Sequence, residues 1–324
     1  MPQFDITLAG ECNLDLVFYG LPQQLPIERE LLATGISIMM GGSSAITAHN
    51  LATLGSKVGF ISQPGDDVFS TSCIAELQSA GVDLARMAPS RPNLGTGITV
   101  FLQHEHDRQA FTYSGAIGGL RFQDLDLDYL SSSRHFHLAS FFLQESLRPD
   151  TPKLLAAMQK AGLSTSLDTN DDPSNRWGEP ILEALRHVDI FLPNANEARH
   201  IAREDDIEKA ARKLANIVPT VVLKLGSRGA LALHNGQFYQ VPPIAVASVD
   251  TVGAGDSFNA GFLHAWTQGA NIDRCLHLGN MCGAFSTTAQ GGTRAFKDTA
   301  LRETFFAEQS ASCKAVTSNG VTAK

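Results

Sequence analysis

The stretch Asp250–Phe262, DTVGAGDSFNAGF, feeds a run of small residues straight into a helix. Gly253, Ala254 and Gly255 form the turn. Beyond it Phe258, Phe262, Ala265 and Trp266 recur at i, i+4, i+7 and i+8, the one-sided apolar stripe of a helix, and Gly269 suits its C-terminus. Such a turn leaves several backbone N–H groups aimed at one point, where the helix dipole adds positive potential. The spacing therefore predicts an anion hole at 253–255. Asp256 lies beside it in the first helical turn. A carboxylate there reads in two ways. It stabilises a helix start by ~0.3–1 kcal/mol, or it takes a proton from an alcohol while the amides hold charge growing on a transferred group. The second is what phosphoryl transfer requires.

Outward from this segment the chain alternates strand and helix. Strand-like runs are Asp5–Glu11, Lys57–Ser62, His135–Ala139, Ser164–Asp168, Val188–Leu192 and Thr220–Leu225. Helix-like stretches between them include Ser43–Leu54, Phe69–Ala80, Thr151–Ala161, Pro180–His187 and Ile207–Ile217. Strand then helix, repeated, buries a parallel sheet between two helical layers, so the fold class is α/β. Residues 12–41 and 95–113 break the pattern with β-rich runs, the second a hairpin around the polar turn His104–Arg108. They read as a small second sheet, either a lid over one end of the main layer or edge decoration. His104, His106 and Asp107 read as a solvated turn. The small, polar residues from Ser310 onward read as a frayed tail.

The chain has 324 residues, 43% of them hydrophobic and 18% charged, with a formal charge of −8. That charged fraction is too low for a disordered chain. The acidic balance argues against a nucleic-acid or anionic-membrane surface. No apolar run approaches the ~18–20 residues that span a bilayer, and the start MPQFDITLAGE lacks the basic and apolar regions of a signal peptide. Cys12, Cys73, Cys275, Cys282 and Cys313 form no C-x-x-C pair, which reads as a reduced cytoplasmic protein with buried thiols. There is no G-x-G-x-x-G after the first strand and no Walker G-x-x-x-x-G-K-[ST], so nicotinamide-dehydrogenase and P-loop readings lack their motifs.

The block DTVGAGDSF, with the early pair Gly41–Gly42, resembles the two signatures of the ribokinase-like (PfkB-type) carbohydrate kinase family, in the same order and spacing from about residue 4 to 300. The resemblance implies a three-layer αβα fold with a central, mostly parallel sheet and a small β-sheet lid. It implies one domain over 1–310, lid strands near 12–20, 35–41 and 96–113, and a flexible tail at 311–324. The implied activity is transfer of the γ-phosphoryl group of ATP, with Mg²⁺, to a hydroxyl of a small sugar. Asp256 becomes the general base, and Gly253, Ala254 and Gly255 the anion hole. Asn13 and Asp15 resemble sugar-hydroxyl ligands, a chemistry their amide and carboxylate suit, though both are also common turn residues. Gly41 and Gly42 would let the backbone approach the sugar, and Glu145 resembles a sugar-side glutamate. Asn194 and Glu197 resemble an N-x-x-E motif near the phosphates and hydrated Mg²⁺, and equally a helix capping box. Lys224, Gly226 and Gly229 resemble the nucleotide-side turn, Lys224 as a point charge for phosphate. Asn280 resembles an adenine-side contact.

Asp250, the Val252 and Ala289 carbonyls and Gly291 match a monovalent-cation site, so K⁺ is an expected activator, although Ala295 stands where a hydroxyl often sits. Ile46 stands where the family commonly has a sugar-contacting Asn, which leaves the sugar open. A homodimer through the lid is implied too. Asp168 and Asn170, at the carboxyl end of a strand where open α/β sheets bind ligands, either support the site or shape its loop. Two rivals stand beside the sugar kinase: a nucleoside kinase on the same fold, and a non-catalytic sensor of sugar or nucleotide.

Overall fold

In the strand Thr220–Lys224, Val221 and Leu223 enter one apolar core while Val222 between them enters another. Successive side chains of a strand point to opposite faces, so a run apolar on both faces needs a layer on each, as parallel sheets have. The first core holds Leu154, Leu155, Ile181, Leu185 and Leu214 from the helices Thr151–Lys160, Glu179–Leu185 and Ile207–Leu214. The second holds Leu51, Phe258, Phe262 and Leu276 from Ser43–Thr53, Ala254–Thr267 and Ile272–Ser286.

These observations come from a computed structural model that describes residues 2–104 and 108–318, with 310–318 as backbone alone. Its strands are β1 Ile6–Ala9, β2 Asn13–Tyr19, β3 Gly35–Gly41, β4 Val58–Ile61, β5 Ile98–Gln103, β6 Arg108–Tyr113, β7 His135–Leu138, β8 Ser164–Leu167, β9 Ile190–Phe191, β10 Thr220–Lys224, β11 Ala230–His234 and β12 Gln237–Val241. The large sheet runs β12-β11-β10-β9-β8-β7-β1-β4. It is parallel from β4 to β10 and antiparallel through β11 and β12. The expected strand-and-helix alternation is present. The hairpin β11–β12 was not expected, although its turn, Asn235–Gly236 with both φ positive, is a strong hairpin signal.

The second sheet runs β3-β2-β5-β6. Asp15 pairs in register with Thr99, and Gln103 with Arg108. Alternation puts Asn13, Asp15, Thr99, Phe101 and Arg108 on one face. The other carries Ile36, Ile38 and Phe111, all exposed.

Two expectations need correction. The segment read as a frayed tail continues a helix, Thr299–Ser318, and residues 319–324 lie outside the described ones. His104 is buried rather than solvated, while His106 and Asp107 fall outside the described residues. Cys12, Cys73, Cys275 and Cys282 are buried free thiols.

Candidate active site

The helix Ala254–Thr267 begins at Gly253, which sits in the left-handed region at φ 74°. A Cβ there would lie 2.5 Å from the Gly292 Cα, so glycine is required on both conformational and steric grounds. No side chain caps this helix, which leaves its first-turn amides available to an anion. Of the three expected donors, the Ala254 N–H is turned back onto the Thr251 carbonyl at 3.3 Å.

This helix start divides two cavities. Val252, Gly253 and Asp256 line one of about 210 Å³ with Glu11, Asn13, Asp15, Asn170 and Arg108. Thr251, Ala254 and Gly255 line a second of about 570 Å³ with Lys224, Gly226, Gly229, Asn280 and the wall Pro243–Val246. Asn280 fixes that wall, donating from Nδ2 to the Pro242 carbonyl at 2.5 Å.

In the smaller cavity Asn13 donates to Asp15 Oδ1 at 3.0 Å. The adjacent glycines make room for these two side chains rather than for the sugar alone: a Cβ on Gly41 would lie 2.2 Å from Asp15 Oδ1, and one on Gly42 2.6 Å from Asn13 Oδ1. Ser43 donates to Asn170 Oδ1 at 3.1 Å, and Asn170 donates to Ser140 Oγ at 2.7 Å. The buried Glu11 is fully engaged by Ser44 N, Ser44 Oγ, Ser140 Oγ and Gln144 Nε2 at 3.1, 2.8, 2.5 and 3.0 Å. It holds the loops in place. Glu145 needs correction: it is exposed and absent from this cavity, because the neighbouring Gln144 turns inward to Glu11.

Lys224 lines the larger cavity and is also held from behind. Its ammonium reaches inward, donating to Asp168 Oδ2 at 2.8 Å and to Asn259 Oδ1 at 3.4 Å, and Asn259 Nδ2 donates to the same Asp168 oxygen. Burial pulls this ammonium down, but the Asp168 and Glu197 carboxylates outweigh it and hold it above the usual lysine value. A polar ladder lies behind Asp168 on β7 and β8: His135 bonds Ser164 and Ser166 at 2.7 and 2.6 Å, and His137 bonds Ser166 at 2.7 Å. Burial pushes His135 and His137 down to about 3 and about 4, so neither adds charge under the site.

Asn194 and Glu197 form the capping box of Ala195–Ala202. Glu197 Oε2 accepts from Asn194 N at 2.8 Å and Thr169 Oγ1 at 3.2 Å. Burial and then the Asp168 charge push its carboxyl up to about 7. Asp250 ties two loops together, accepting from Val252 N at 3.0 Å and Gly291 N at 2.9 Å. Ala295 is buried in a small cluster with Phe285 and Phe296.

Burial and then the Asp168 charge raise the Asp256 carboxyl to about 7, against the pull of Lys224 and Ser43. Burial and then the Asp256 charge raise Asp15 to about 8. Arg108, passed over in the sequence, is the one cation among the described residues lining the smaller cavity. It donates to Thr251 Oγ1 at 3.5 Å and lies 5.3 Å from the Phe101 ring centroid. Asn259, also passed over, stands three residues after Asp256, a spacing that shares a helix face.

The Lys224–Asp168 pair carries a prediction. Lys224→Met leaves a buried carboxylate unpaired, and urea denaturation should show a loss of ~3–5 kcal/mol. Adding Asp168→Asn should recover much of it. Equal stability of Lys224→Met and the parent would contradict the geometry.

A sheet flanked by helices, a separate small sheet, and an acid-bearing helix start between two cavities define a phosphotransferase of the ribokinase fold. The chain belongs to the pfkB family of carbohydrate kinases, whose family model matches residues 3–299. It is 32% identical over 276 residues to a fructokinase of Klebsiella pneumoniae, covering 80% of this chain and 89% of that one. It is 30% identical over 257 residues to an ATP-dependent ribose-1-phosphate kinase of Halopiger xanaduensis, covering 79% and 82%. A ribokinase-II candidate from E. coli, crystallised with ATP and Mg²⁺, superposes with a TM-score of 0.81 at 25% identity over 94% of this chain and 99% of that one. The protein is a carbohydrate kinase. Among the described residues no helix is long and apolar enough to cross a membrane.

Proposed function

We propose that the protein transfers the γ-phosphoryl group of ATP to a hydroxyl of a monosaccharide, with Asp256 as general base. The observation that carries this reading is that one turn, Thr251–Asp256, lines both cavities. A donor in the larger cavity and an acceptor in the smaller would meet at the helix N-terminus. The larger wall, Pro243–Val246 with Phe258 and Ala284, suits a flat aromatic base. The smaller cavity, about 210 Å³ and rich in hydroxyl partners, suits a monosaccharide better than a nucleoside, which carries a base as well.

In this reading Asn13 and Asp15 orient the sugar, and Asp256 accepts its proton as the oxygen attacks phosphorus. The first-turn amides receive the charge developing on the phosphoryl oxygens. Mg²⁺ would neutralise part of the triphosphate charge. Among the described residues no three His, Cys, Asp or Glu side chains could together hold a metal, and Mg²⁺ typically keeps several waters. The engaged Glu197 therefore fits contact through water. Lys224 would add positive charge from the side of Asp168. A monovalent cation at Asp250, Val252, Ala289 and Gly291 belongs to the same reading. So does a homodimer formed through the exposed apolar face of the lid.

The test is ADP release across hexoses, pentoses, sugar acids and nucleosides. Turnover with a free sugar supports the reading; turnover with nucleosides alone would overturn it. The raised Asp256 carboxyl gives a pH prediction with a definite sign. Below about 7 it holds a proton and cannot act as base, so kcat/KM should fall about tenfold per pH unit on the acid side. A flat profile between pH 5 and 7 would remove it as base.

A further inference from the structure

Asn13 and Asp15 stand on the small sheet, whereas the turn 251–256 belongs to the body, yet one short segment, 290–292, touches both sides. On the sheet side, Met39 lies opposite Asp15 in the β2–β3 register, and Ser37, two residues along, shares its face. Ser37 Oγ donates to Gln290 Oε1 at 2.7 Å. The Met39 sulfur lies against Gly291, where a Cβ would strike it, and Gly291 holds φ 72°. On the body side Gly292 abuts the anion-hole turn, since a Cβ on Gly253 would lie 2.5 Å from Gly292 Cα. The segment is also anchored there. Gly291 N donates to Asp250 Oδ2 and Asn50 Nδ2 to the Gly292 carbonyl, both at 2.9 Å, while Arg294 Nη1 donates to Gln290 Oε1 at 3.0 Å. Neither Ser37 nor Gln290 lines either site cavity, so whatever they do for a ligand they do through other residues. A second link between sheet and turn, Arg108 to Thr251 Oγ1, is longer at 3.5 Å.

We infer that Gln290 is a positioning residue for phosphoryl transfer, tying the sheet that bears Asn13 and Asp15 to the segment on which the Gly253 turn rests. It thereby sets where the acceptor hydroxyl lies relative to the anion hole. The inference rests on the sugar-kinase reading above. Without Gln290 each half of the site keeps its own ligand contacts, so binding in either cavity persists. What changes is the alignment between the halves. In-line attack needs the reacting atoms ~3–3.5 Å apart, and a small misplacement is costly in rate. The loss therefore falls on kcat rather than on KM.

The experiment measures kcat and both KM values with ATP and the best sugar from the ADP-release screen, in the parent protein, Gln290→Ala, Gln290→Glu and Ser37→Ala. K⁺ is kept saturating, so that a weakened hold on a cation beside Ala289 and Gly291 is not read as lost alignment. Gln290→Ala should lose about ten- to a hundredfold in kcat, with both KM values nearly unchanged. Gln290→Glu keeps an oxygen for Ser37 and Arg294 and should restore most of the rate. Ser37→Ala should lose less, again in kcat. Combining Ser37→Ala with Gln290→Ala should be no slower than Gln290→Ala alone, because both remove the same link. Should Gln290→Ala not fold, Ser37→Ala and Gln290→Glu decide alone. An unchanged kcat in the alanine variants, a loss carried by KM, or a loss that Gln290→Glu does not restore overturns the inference while the kinase reading stands. Turnover of no sugar by the parent would overturn both.

Discussion

Asp256→Asn should lower kcat by ~10²–10⁴-fold, the usual worth of a positioned general base, while ATP and sugar still bind. The change is nearly isosteric, so both cavities keep their shape, and it removes the group that accepts the hydroxyl proton. The neighbours of Asp256 tune its basicity without replacing it. Asp15 is held up at about 8, so near neutral pH it is mostly protonated and serves as a sugar ligand. Glu11 already accepts four hydrogen bonds. Steady-state kinetics with calorimetric binding checks this. Retention of more than about a hundredth of the rate would remove Asp256 from the role.

Gly253→Ala is the second large expectation. The alanine would have to adopt φ near 74°, a strain of order 1–3 kcal/mol, with its Cβ only 2.5 Å from the Gly292 Cα. Relief requires the helix start to move away from the 291–292 loop, carrying the first-turn amides with it. Loss of an aligned donor at a charge-stabilising site typically costs ~10²–10³ in kcat. Sugar KM should change little, because Asn13 and Asp15 stand on the other sheet. Gly255→Ala is the control: the atoms nearest its Cβ would be those of the Lys224 side chain, at 3.6 Å and beyond, which is ordinary van der Waals contact, and the fold should accept it. Equal loss from both variants would argue against a special role for the Gly253 turn.

The parallel sheet and its helices were legible because their signals are local: short apolar runs for the strands, alternating with stretches that read as helices. The two β-rich interruptions were legible as a second sheet, though not their order, which depends on pairing between distant segments. In the site, Asp256 and the turn before it stood out because one short stretch carries the anion hole and the acid together. Asn13, Asp15 and the glycine pair were legible as types, but the reason for the glycines was not. They clear space for the side chains of β2, a contact made across β2–β3 register. Lys224 was legible as a charge on the nucleotide side, but its ion pair was not, because nothing near it in sequence shows Asp168, 56 residues away. Arg108 looked like the end of a polar turn until β5 and β6 placed it beside Asp15 and Thr251. Glu145 fails for a similar reason: which of Gln144 and Glu145 turns inward depends on Glu11, more than a hundred residues earlier.

The most direct test of the Asp256-centred transfer is ³¹P NMR of reactions containing MgATP and the best sugar from the ADP-release screen, run with the parent protein and with Asp256→Asn. The account predicts a phosphomonoester resonance coupled to sugar protons, growing in step with ADP in the parent and all but absent in the variant. Release of inorganic phosphate with no sugar ester, or an ester formed equally fast by Asp256→Asn, would contradict it.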